Sequence, residues 1–210
     1  MTDASPPTLG LLLAGGLARR MGGGDKPLRT IAGQTILAHV IARLRPQCEA
    51  LLINANGDPA RFGDYGLPVV ADSVPDFAGP LAGILAGLDW AAAHAPDIAD
   101  VASVPGDCPF LPSDLVARLA AAREEQRTPL ACARSGKWRH PVVGLWPVKL
   151  REDLRKALMV EGLHKIEIWT ARHGIAIADW PEVPVDPFFN VNTPEDVAAA
   201  ERVAAQERGA

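Results

Sequence analysis

The sequence has few cysteines, few aromatic residues and no excess of basic charge. Its three cysteines, Cys48, Cys108 and Cys132, are odd in number and too widely spaced for a zinc-binding pair, which favours a reducing compartment. The chain carries 21 Lys and Arg against 25 Asp and Glu, so it lacks the broad basic face that a nucleic-acid partner requires. No apolar stretch approaches the roughly 20 residues that span a bilayer. We therefore expect a soluble, cytoplasmic protein that binds neither nucleic acid nor a membrane.

What the chain does have is a regular alternation of apolar runs and helical periods, which is typical of βαβ units. Apolar runs predict strands at 9–13, 50–55, 69–71, 100–104, 129–133 and 142–146. Helical periods predict helices over 35–45, from residue 79, from a cap at Ser113 or Asp114 through 121, and from residue 150. A last helix is predicted to begin at Thr193-Pro194, where Thr193 is the cap and Asp196 returns the capping hydrogen bond. This pattern predicts a Rossmann-like α/β fold, a mostly parallel sheet with helices on both faces, in a single domain. We assign residues 1–7 to a flexible N-terminus and residues 8–206 to the domain.

The most unusual segment is LLLAGGLARRMGGGDK, residues 11–26, in which five glycines follow directly on an apolar strand. It is not a P-loop, because Lys26 is followed by Pro27 in place of the hydroxyl residue that ligates magnesium. The third glycine of the dinucleotide-binding fingerprint is also absent. Glycine amides in this loop can still approach phosphate oxygens closely, and Arg20 and Lys26 can add charge-assisted hydrogen bonds. The loop therefore predicts a small, highly anionic ligand.

Polar side chains follow the carboxyl ends of the next three predicted strands. Asn54 and Asn56 end one strand, Asp72 ends another, and Asp107 follows a third. Taken singly, each has a structural explanation as a turn or strand-end residue. In an open parallel sheet, however, these ends meet at one edge, where ligands bind, and Asp107 is the kind of oxygen ligand that Mg²⁺ takes alongside phosphates. The spacing therefore predicts a nucleoside triphosphate site without a P-loop.

Several motifs carry a resemblance to a known family. The glycine-rich segment resembles the L-A-G-G-x-x-x-R-M-G-x-x-K signature that several nucleotidyltransferases share. Further motifs follow in order: INAN at 53–56, VVADS around Asp72, GPLAG at 79–83, PGDCPFLP around Asp107, RHP at 139–141 and FNVNTPED at 189–196. Together they resemble the molybdenum cofactor guanylyltransferases of the MobA type over nearly the whole chain. The resemblance implies that residues 8–206 are a Mg²⁺-dependent nucleotidyltransferase domain, which transfers GMP from GTP to the terminal phosphate of molybdenum-molybdopterin and releases pyrophosphate.

The resemblance also implies roles for individual residues. The nucleotide would be bound by Leu13, Ala14, Gly15, Lys26, Asn54, Asp72 and Asp107. Arg20, Lys26 and Asp107 would be catalytic, with Asp107 as the ligand of the Mg²⁺ cofactor. The pterin substrate would be contacted by Gly79, Gly83, Asn190 and Asn192. The expected partners are GTP, molybdenum-molybdopterin and molybdoenzyme maturation proteins.

Two other interpretations stay open at this point. The chain could transfer a cytidylyl or other nucleotidyl group to a pterin or a sugar phosphate, since the residues that contact the base cannot be placed from the sequence. It could instead be a non-catalytic module that binds the finished cofactor and delivers it to an apoenzyme, which would need no magnesium carboxylate. His140, beside Pro141, could reach a second substrate, although a histidine in such a position is more often structural.

Overall fold

The computed structural model describes residues 7–15, 26–74 and 79–209. Residues 1–6 of the predicted flexible N-terminus lie outside the described residues, as do Gly16, Arg20 and Gly22–Gly24 of the glycine-rich loop. No helix in the described ranges combines the length and the apolarity that a membrane crossing requires.

Seven strands of the described residues form one sheet. They are β1 (Thr8–Leu13), β4 (Ala50–Asn54), β5 (Val69–Val70), β6 (Asp100–Pro105), β7 (Leu130–Ser135), β8 (Trp138–Pro147) and β9 (Ile175–Trp180); a separate hairpin contains β2 (Thr30–Ile31) and β3 (Gln34–Thr35). The strand order is β5-β4-β1-β6-β8-β7-β9. Strand β8 runs antiparallel to β6 and β7, whereas the other neighbours are parallel. The mostly parallel α/β sheet that the sequence predicts is confirmed.

Helices cover both faces of this sheet, as predicted. They are α1 (Ile36–Leu44), α2 (Pro80–His94), α3 (Leu115–Glu125), α4 (Arg151–Met159), α5 (Ile166–His173) and α6 (Pro194–Gly209). Apolar side chains of α1 and α3 pack on one face in one core cluster, and those of α2, α4 and α5 pack on the other face in a second cluster. Strands that are covered on both faces are apolar throughout, and Leu9, Leu11 and Leu12 of β1 are accordingly all buried.

Helix α6 packs against the β2-β3 hairpin, where Ala200 and Ala204 join Ile31 in a third apolar cluster. Its start has the predicted capping box. The backbone N–H of Asp196 donates to Thr193 Oγ1 at 3.2 Å, and the backbone N–H of Thr193 donates to Asp196 Oδ2 at 2.8 Å. This reciprocal pair fixes the residue at which α6 begins.

The predicted cap of α3, Ser113 or Asp114, is correct in position for Asp114 but not in hydrogen bonding. Asp114 occupies the position before the helix, but its side chain forms no capping hydrogen bond. Its carboxylate accepts a hydrogen bond from Trp180 Nε1 at 3.0 Å instead. Trp180 is buried, and a buried indole N–H requires a partner. The tertiary contact with β9 therefore replaces the local cap.

The β7-β8 hairpin extends further than the two strands predicted at 129–133 and 142–146. Strand β8 begins at Trp138 and pairs with β7 as far as Ser135, so that only Gly136 and Lys137 remain in the turn. Gly136 has φ +51°, a conformation that glycine adopts without steric cost. Helix α5 and strand β9 were not predicted, and β9 completes the edge of the sheet beside β7.

Candidate active site

The carboxyl ends of β1, β4 and β5 meet at one edge of the sheet and enclose a cavity of about 320 Å³. The cavity is lined by Leu13, Gly15, Asn54, Asn56, Asp72, Gly79, Pro80 and Val142. These residues come together because the three strands are adjacent and parallel, which places the segments that follow them on the same side of the sheet. Four of the residues predicted to bind the nucleotide, Leu13, Gly15, Asn54 and Asp72, therefore share one cavity.

Backbone hydrogen bonds hold the end of β1 between its two neighbours. The N–H of Ala14 donates to the Asn54 carbonyl at 2.9 Å, and the N–H of Gly106 donates to the Leu13 carbonyl at 2.9 Å. The Ala14 side chain is fully buried, so this residue can contribute to a site only through its backbone. The arrangement leaves Gly15 exposed at the mouth of the cavity, where the glycine-rich loop begins.

Asn54, Asn56 and Asp72 form a hydrogen-bonded network on the wall of this cavity. Asn54 Nδ2 donates to Asp72 Oδ1 at 3.0 Å, and Asn56 Nδ2 donates to Asp72 Oδ2 at 2.8 Å. The Asp72 backbone N–H donates in turn to Asn56 Oδ1 at 2.9 Å. Both carboxylate oxygens are thus fixed in orientation, and each keeps lone-pair capacity for a ligand donor. Asn56 was assigned no binding role from the sequence, although the Asn-x-Asn pattern at the end of a strand could have identified it.

Gly79 and Gly83 lie beside this cavity, whereas the sequence analysis grouped them with Asn190 and Asn192 on the pterin side. Gly79 lines the cavity itself. Gly83 is buried in α2, where an added Cβ would meet Asn54 Oδ1 at 2.3 Å and Leu13 Cδ2 at 2.7 Å. Helix α2 can therefore approach β1 and β4 this closely only with glycine at this position.

Asp107 lies two residues after β6, next to the end of β1. Its backbone carbonyl accepts a hydrogen bond from the N–H of Val191 at 3.0 Å. Burial raises the pKa of the Asp107 carboxyl, and the positive charge of Lys26 opposes this shift. Because a buried carboxylate is costly unless a cation joins it, the environment of Asp107 favours the binding of a cation.

The segment that precedes α6 brings Asn190 and Asn192 to the Asp107 side of the site. Lys26 Nζ donates to Asn192 Oδ1 at 2.7 Å. Asn190 Oδ1 accepts a hydrogen bond from the thiol of Cys108, the residue after Asp107. The described candidate residues thus form two neighbouring groups, one around Asp72 and one around Asp107. Arg20, the remaining catalytic candidate, lies outside the described residues.

In the part of the chain that the structure describes, no group of three or more His, Cys, Asp and Glu side chains is placed to hold a metal ion without further ligands. Asp107 offers a single carboxylate. Zinc sites are built from several nitrogen or sulfur ligands, whereas Mg²⁺ binds through one or two carboxylates and completes its shell with substrate phosphates and water. A single, partly buried carboxylate near Lys26 therefore fits Mg²⁺.

Comparison with known sequences gives extensive matches. The family model for the MobA-like NTP transferase domain matches residues 10–174. A molybdenum cofactor guanylyltransferase from Bradyrhizobium sp. (strain ORS 278) is 67% identical over 198 residues, which is 94% of this chain and 93% of that relative. A protein of the same name from Nitrobacter hamburgensis is 61% identical over 209 residues and is covered over 100% of both chains.

A solved structure has the same fold at much lower identity. Molybdopterin-guanine dinucleotide biosynthesis protein A from Archaeoglobus fulgidus superposes with a TM-score of 0.73 at 20% identity, over 94% of this chain and 99% of that one. At this identity the likeness establishes the fold alone, while the sequence matches establish the relationship. The chain therefore belongs to the MobA-like NTP transferases, within the group of molybdenum cofactor guanylyltransferases.

Proposed function

We propose that this protein is a Mg²⁺-dependent guanylyltransferase. It transfers GMP from GTP to the terminal phosphate of molybdenum-molybdopterin, giving the guanine dinucleotide form of the cofactor and pyrophosphate. The relatives named molybdenum cofactor guanylyltransferase, at 61% and 67% identity, support this assignment. The assignment rests mainly on one observation: the cavity around Asp72 lies next to Asp107 and Lys26. A polar pocket of the size of a nucleoside is thus adjacent to side chains that suit phosphates and their counter-ion.

The nucleoside occupies the cavity around Asp72. Guanine presents adjacent N1–H and N2–H donors, and the Asp72 carboxylate, oriented by Asn54 and Asn56, can accept both. Cytosine and uracil do not present this pair of donors on one edge, which favours GTP over CTP and UTP. A base that leaves these oriented acceptors unpaired binds less well than guanine, which pairs with both of them.

The triphosphate is placed against the backbone of Gly15, which ends the described part of the chain before Lys26. The Lys26 ammonium has three donor protons, of which one is directed at Asn192, so two remain for phosphate oxygens. Arg20 belongs to the same loop and would add a second positive charge. Asp107 would hold Mg²⁺, which when bound supplies positive charge that offsets the charge developing on pyrophosphate.

The transfer itself requires no covalent enzyme intermediate. An oxygen of the acceptor phosphate forms a bond to the α-phosphorus of GTP, and the bond from that phosphorus to the oxygen bridging it to the β-phosphorus breaks. Pyrophosphate leaves with that oxygen and its electron pair. The residues of this site contribute by holding the two substrates in line and by stabilising the phosphate charges, Lys26 through its ammonium and the loop through its amides.

The test is pyrophosphate release by the purified protein with Mg²⁺ and molybdenum-molybdopterin, given GTP, CTP or UTP in separate reactions. We expect release with GTP alone, and none when the acceptor is omitted or when EDTA removes the divalent cation. Release with CTP or UTP instead would overturn the assignment of the base. If no nucleotide gives release and the protein binds the finished dinucleotide tightly, the protein is a non-catalytic delivery module and the proposed function is wrong.

A further inference from the structure

Strand β9 forms one outer edge of the sheet, and β5 forms the other. An edge strand presents backbone N–H and C=O groups that another chain can use to extend the sheet, and proteins often limit this risk by keeping edge strands short. Strand β5 has two residues, whereas β9 has six. The edge at β9 is therefore long enough for an incoming strand to pair with it, and its length gives it no protection.

Alternate residues of β9 direct their backbone groups away from β7. The register pairs Ile177 with Cys132 and Asp179 with Arg134 of β7, and the N–H and C=O groups of successive residues in a strand point to opposite sides. The N–H and carbonyl of Ile177 and the carbonyl of Asp179 are bonded to side chains of α3 and of the residue that follows it, so these groups lie on the outer side. They are the groups that a further strand would use.

Gln126 bonds to Ile177 in the way that a neighbouring strand would. Gln126 Nε2 donates to the Ile177 carbonyl at 3.0 Å, and the Ile177 N–H donates to Gln126 Oε1 at 3.1 Å. A primary amide combines donors with an acceptor, so one side chain satisfies both backbone groups of a single residue. Gln126 follows directly on α3, where its own backbone N–H donates to the Ala122 carbonyl at 3.0 Å. The end of the helix thus fixes the position of the amide against the edge.

Arg118, about two turns earlier along α3, covers the next outward-facing residue. Its guanidinium donates to the Asp179 carbonyl. The guanidinium is also held by two other side chains: Cζ lies 4.5 Å from the centroid of the Trp180 ring, and Nη1 lies 3.6 Å from Asp114 Oδ2. Charged side chains at the edge of a sheet disfavour its pairing with another chain. Arg118 therefore protects the edge both by its hydrogen bond and by its charge.

We propose that Gln126 and Arg118 close the β9 edge against a strand from a second copy of this chain. The strand that they exclude is β9 of the other copy, because two identical edges can pair antiparallel about a two-fold axis. Without the two side chains, both copies would present unbonded backbone groups at Ile177 and Asp179, and pairing would satisfy them. The inference involves neither nucleotide nor acceptor, so it and the proposed function can fail independently of each other.

The first experiment measures hydrogen exchange of single backbone amides by NMR, in the wild type and in Gln126→Ala. The Ile177 N–H loses its acceptor in this variant, so its exchange should become about 10-fold faster, while the N–H groups of Ala176 and Ala178, which alternate toward β7, should change by less than about twofold. Glu125→Ala is the matched control, because Glu125 is the exposed neighbour of Gln126 and makes no hydrogen bond to β9 among the described residues. Unchanged exchange at Ile177 in Gln126→Ala would overturn the inference.

The second experiment measures the molar mass of the full-length protein by light scattering, from about 1 μM to about 1 mM. The variant with both Arg118→Ala and Gln126→Ala should double in mass as its concentration rises, whereas Glu125→Ala should keep the mass of the wild type throughout. Adding Ile177→Pro to the double variant should restore the wild-type mass, because proline removes an N–H that faces outward and not one bonded to β7. A double variant that keeps the wild-type mass at every concentration, or a gain in mass that Ile177→Pro does not reverse, would show that these side chains do not guard the edge.

Discussion

Strand β6 has an aspartate near each end, and the surroundings of the two differ. Asp100, at the amino end, is buried and accepts two hydrogen bonds from Arg123, at 2.6 and 2.7 Å. Asp107, just beyond the carboxyl end, is partly buried, and the neighbouring Lys26 directs its described hydrogen bond to Asn192. The first carboxylate is neutralised by a fixed partner within the chain, whereas the second keeps its capacity to bind a cation.

This contrast separates stability from function along a single strand. A buried ion pair with good geometry is costly to break, because removing one partner leaves an uncompensated charge. A carboxylate with a raised pKa, such as that of Asp107, costs folding free energy at neutral pH, and such groups cluster at functional sites. Removing the charge of Asp107 should therefore impair catalysis without impairing folding. Breaking the pair between Asp100 and Arg123 should impair folding without impairing catalysis.

The largest effect is expected for Asp107→Asn, which should lower kcat about 1000-fold, equivalent to ~4 kcal/mol in the activation barrier. The same change should raise the melting temperature, by about 2 °C. Because the folded state binds a proton at Asp107 more readily than the unfolded state, wild-type stability falls as pH rises above the ordinary pKa of an aspartate. The asparagine side chain of the variant does not ionise, so the stability of the variant does not fall in this way as pH rises. Pyrophosphate release and thermal melts at pH 4 to 8 measure both effects; full activity would remove Asp107 from the mechanism.

Arg123→Ala should produce the reverse pattern. Leaving Asp100 buried without its partner should cost about 3 to 5 kcal/mol in unfolding free energy, while kcat and both KM values stay unchanged where the protein remains folded, since β6 separates this end from the site by roughly 20 Å. Arg134→Ala is the control: its ion pair with Asp179 is largely exposed, and its loss should cost less than about 1 kcal/mol. Equal costs in urea unfolding of the two variants would contradict the role given to burial.

The smallest effect is expected for Asn56→Ala. This change separates the role of the group around Asp72 from that of the group around Asp107. Freeing one Asp72 oxygen from its orienting bond should raise the KM for GTP about 10-fold and leave kcat nearly unchanged, because base positioning is lost and phosphate chemistry is not. Asp58→Asn changes a nearby exposed side chain that caps a short helix and should have no effect on the KM. A fall in kcat of the same size as the rise in KM would indicate that Asn56 acts on the phosphates instead.

The part of the site around Asp72 could be predicted from the sequence because it depends on local signals. Apolar runs that end in polar residues marked β1, β4 and β6, and the ends of parallel strands necessarily converge. The start of α6 could likewise be predicted from Thr193 and Asp196, which form the capping hydrogen bonds. For these elements, short-range patterns contain the information that the fold uses.

The remainder depends on contacts between residues that are distant in sequence. The bond between Cys108 and Asn190 joins residues 82 positions apart, and no local pattern indicates it. The antiparallel insertion of β8 between β6 and β7 depends on the competition among all strands for neighbours. The close packing around Gly83 depends likewise on the side chain of Asn54, which belongs to another element. These contacts could therefore be found only in the three-dimensional structure.

The hydrogen bond between Lys26 and Asn192, which spans 166 positions, has a consequence for the order in which the protein is made. By the time synthesis has passed α2, every residue that lines the cavity around Asp72 except Val142 has been added to the chain. Asn190 and Asn192 follow about 100 residues later, and their segment is fixed only when Thr193 and Asp196 close the start of α6. An unfinished chain therefore contains most of the cavity that we propose for GTP before it contains Asn190 and Asn192, so the Lys26–Asn192 bond is among the last contacts of the site to form.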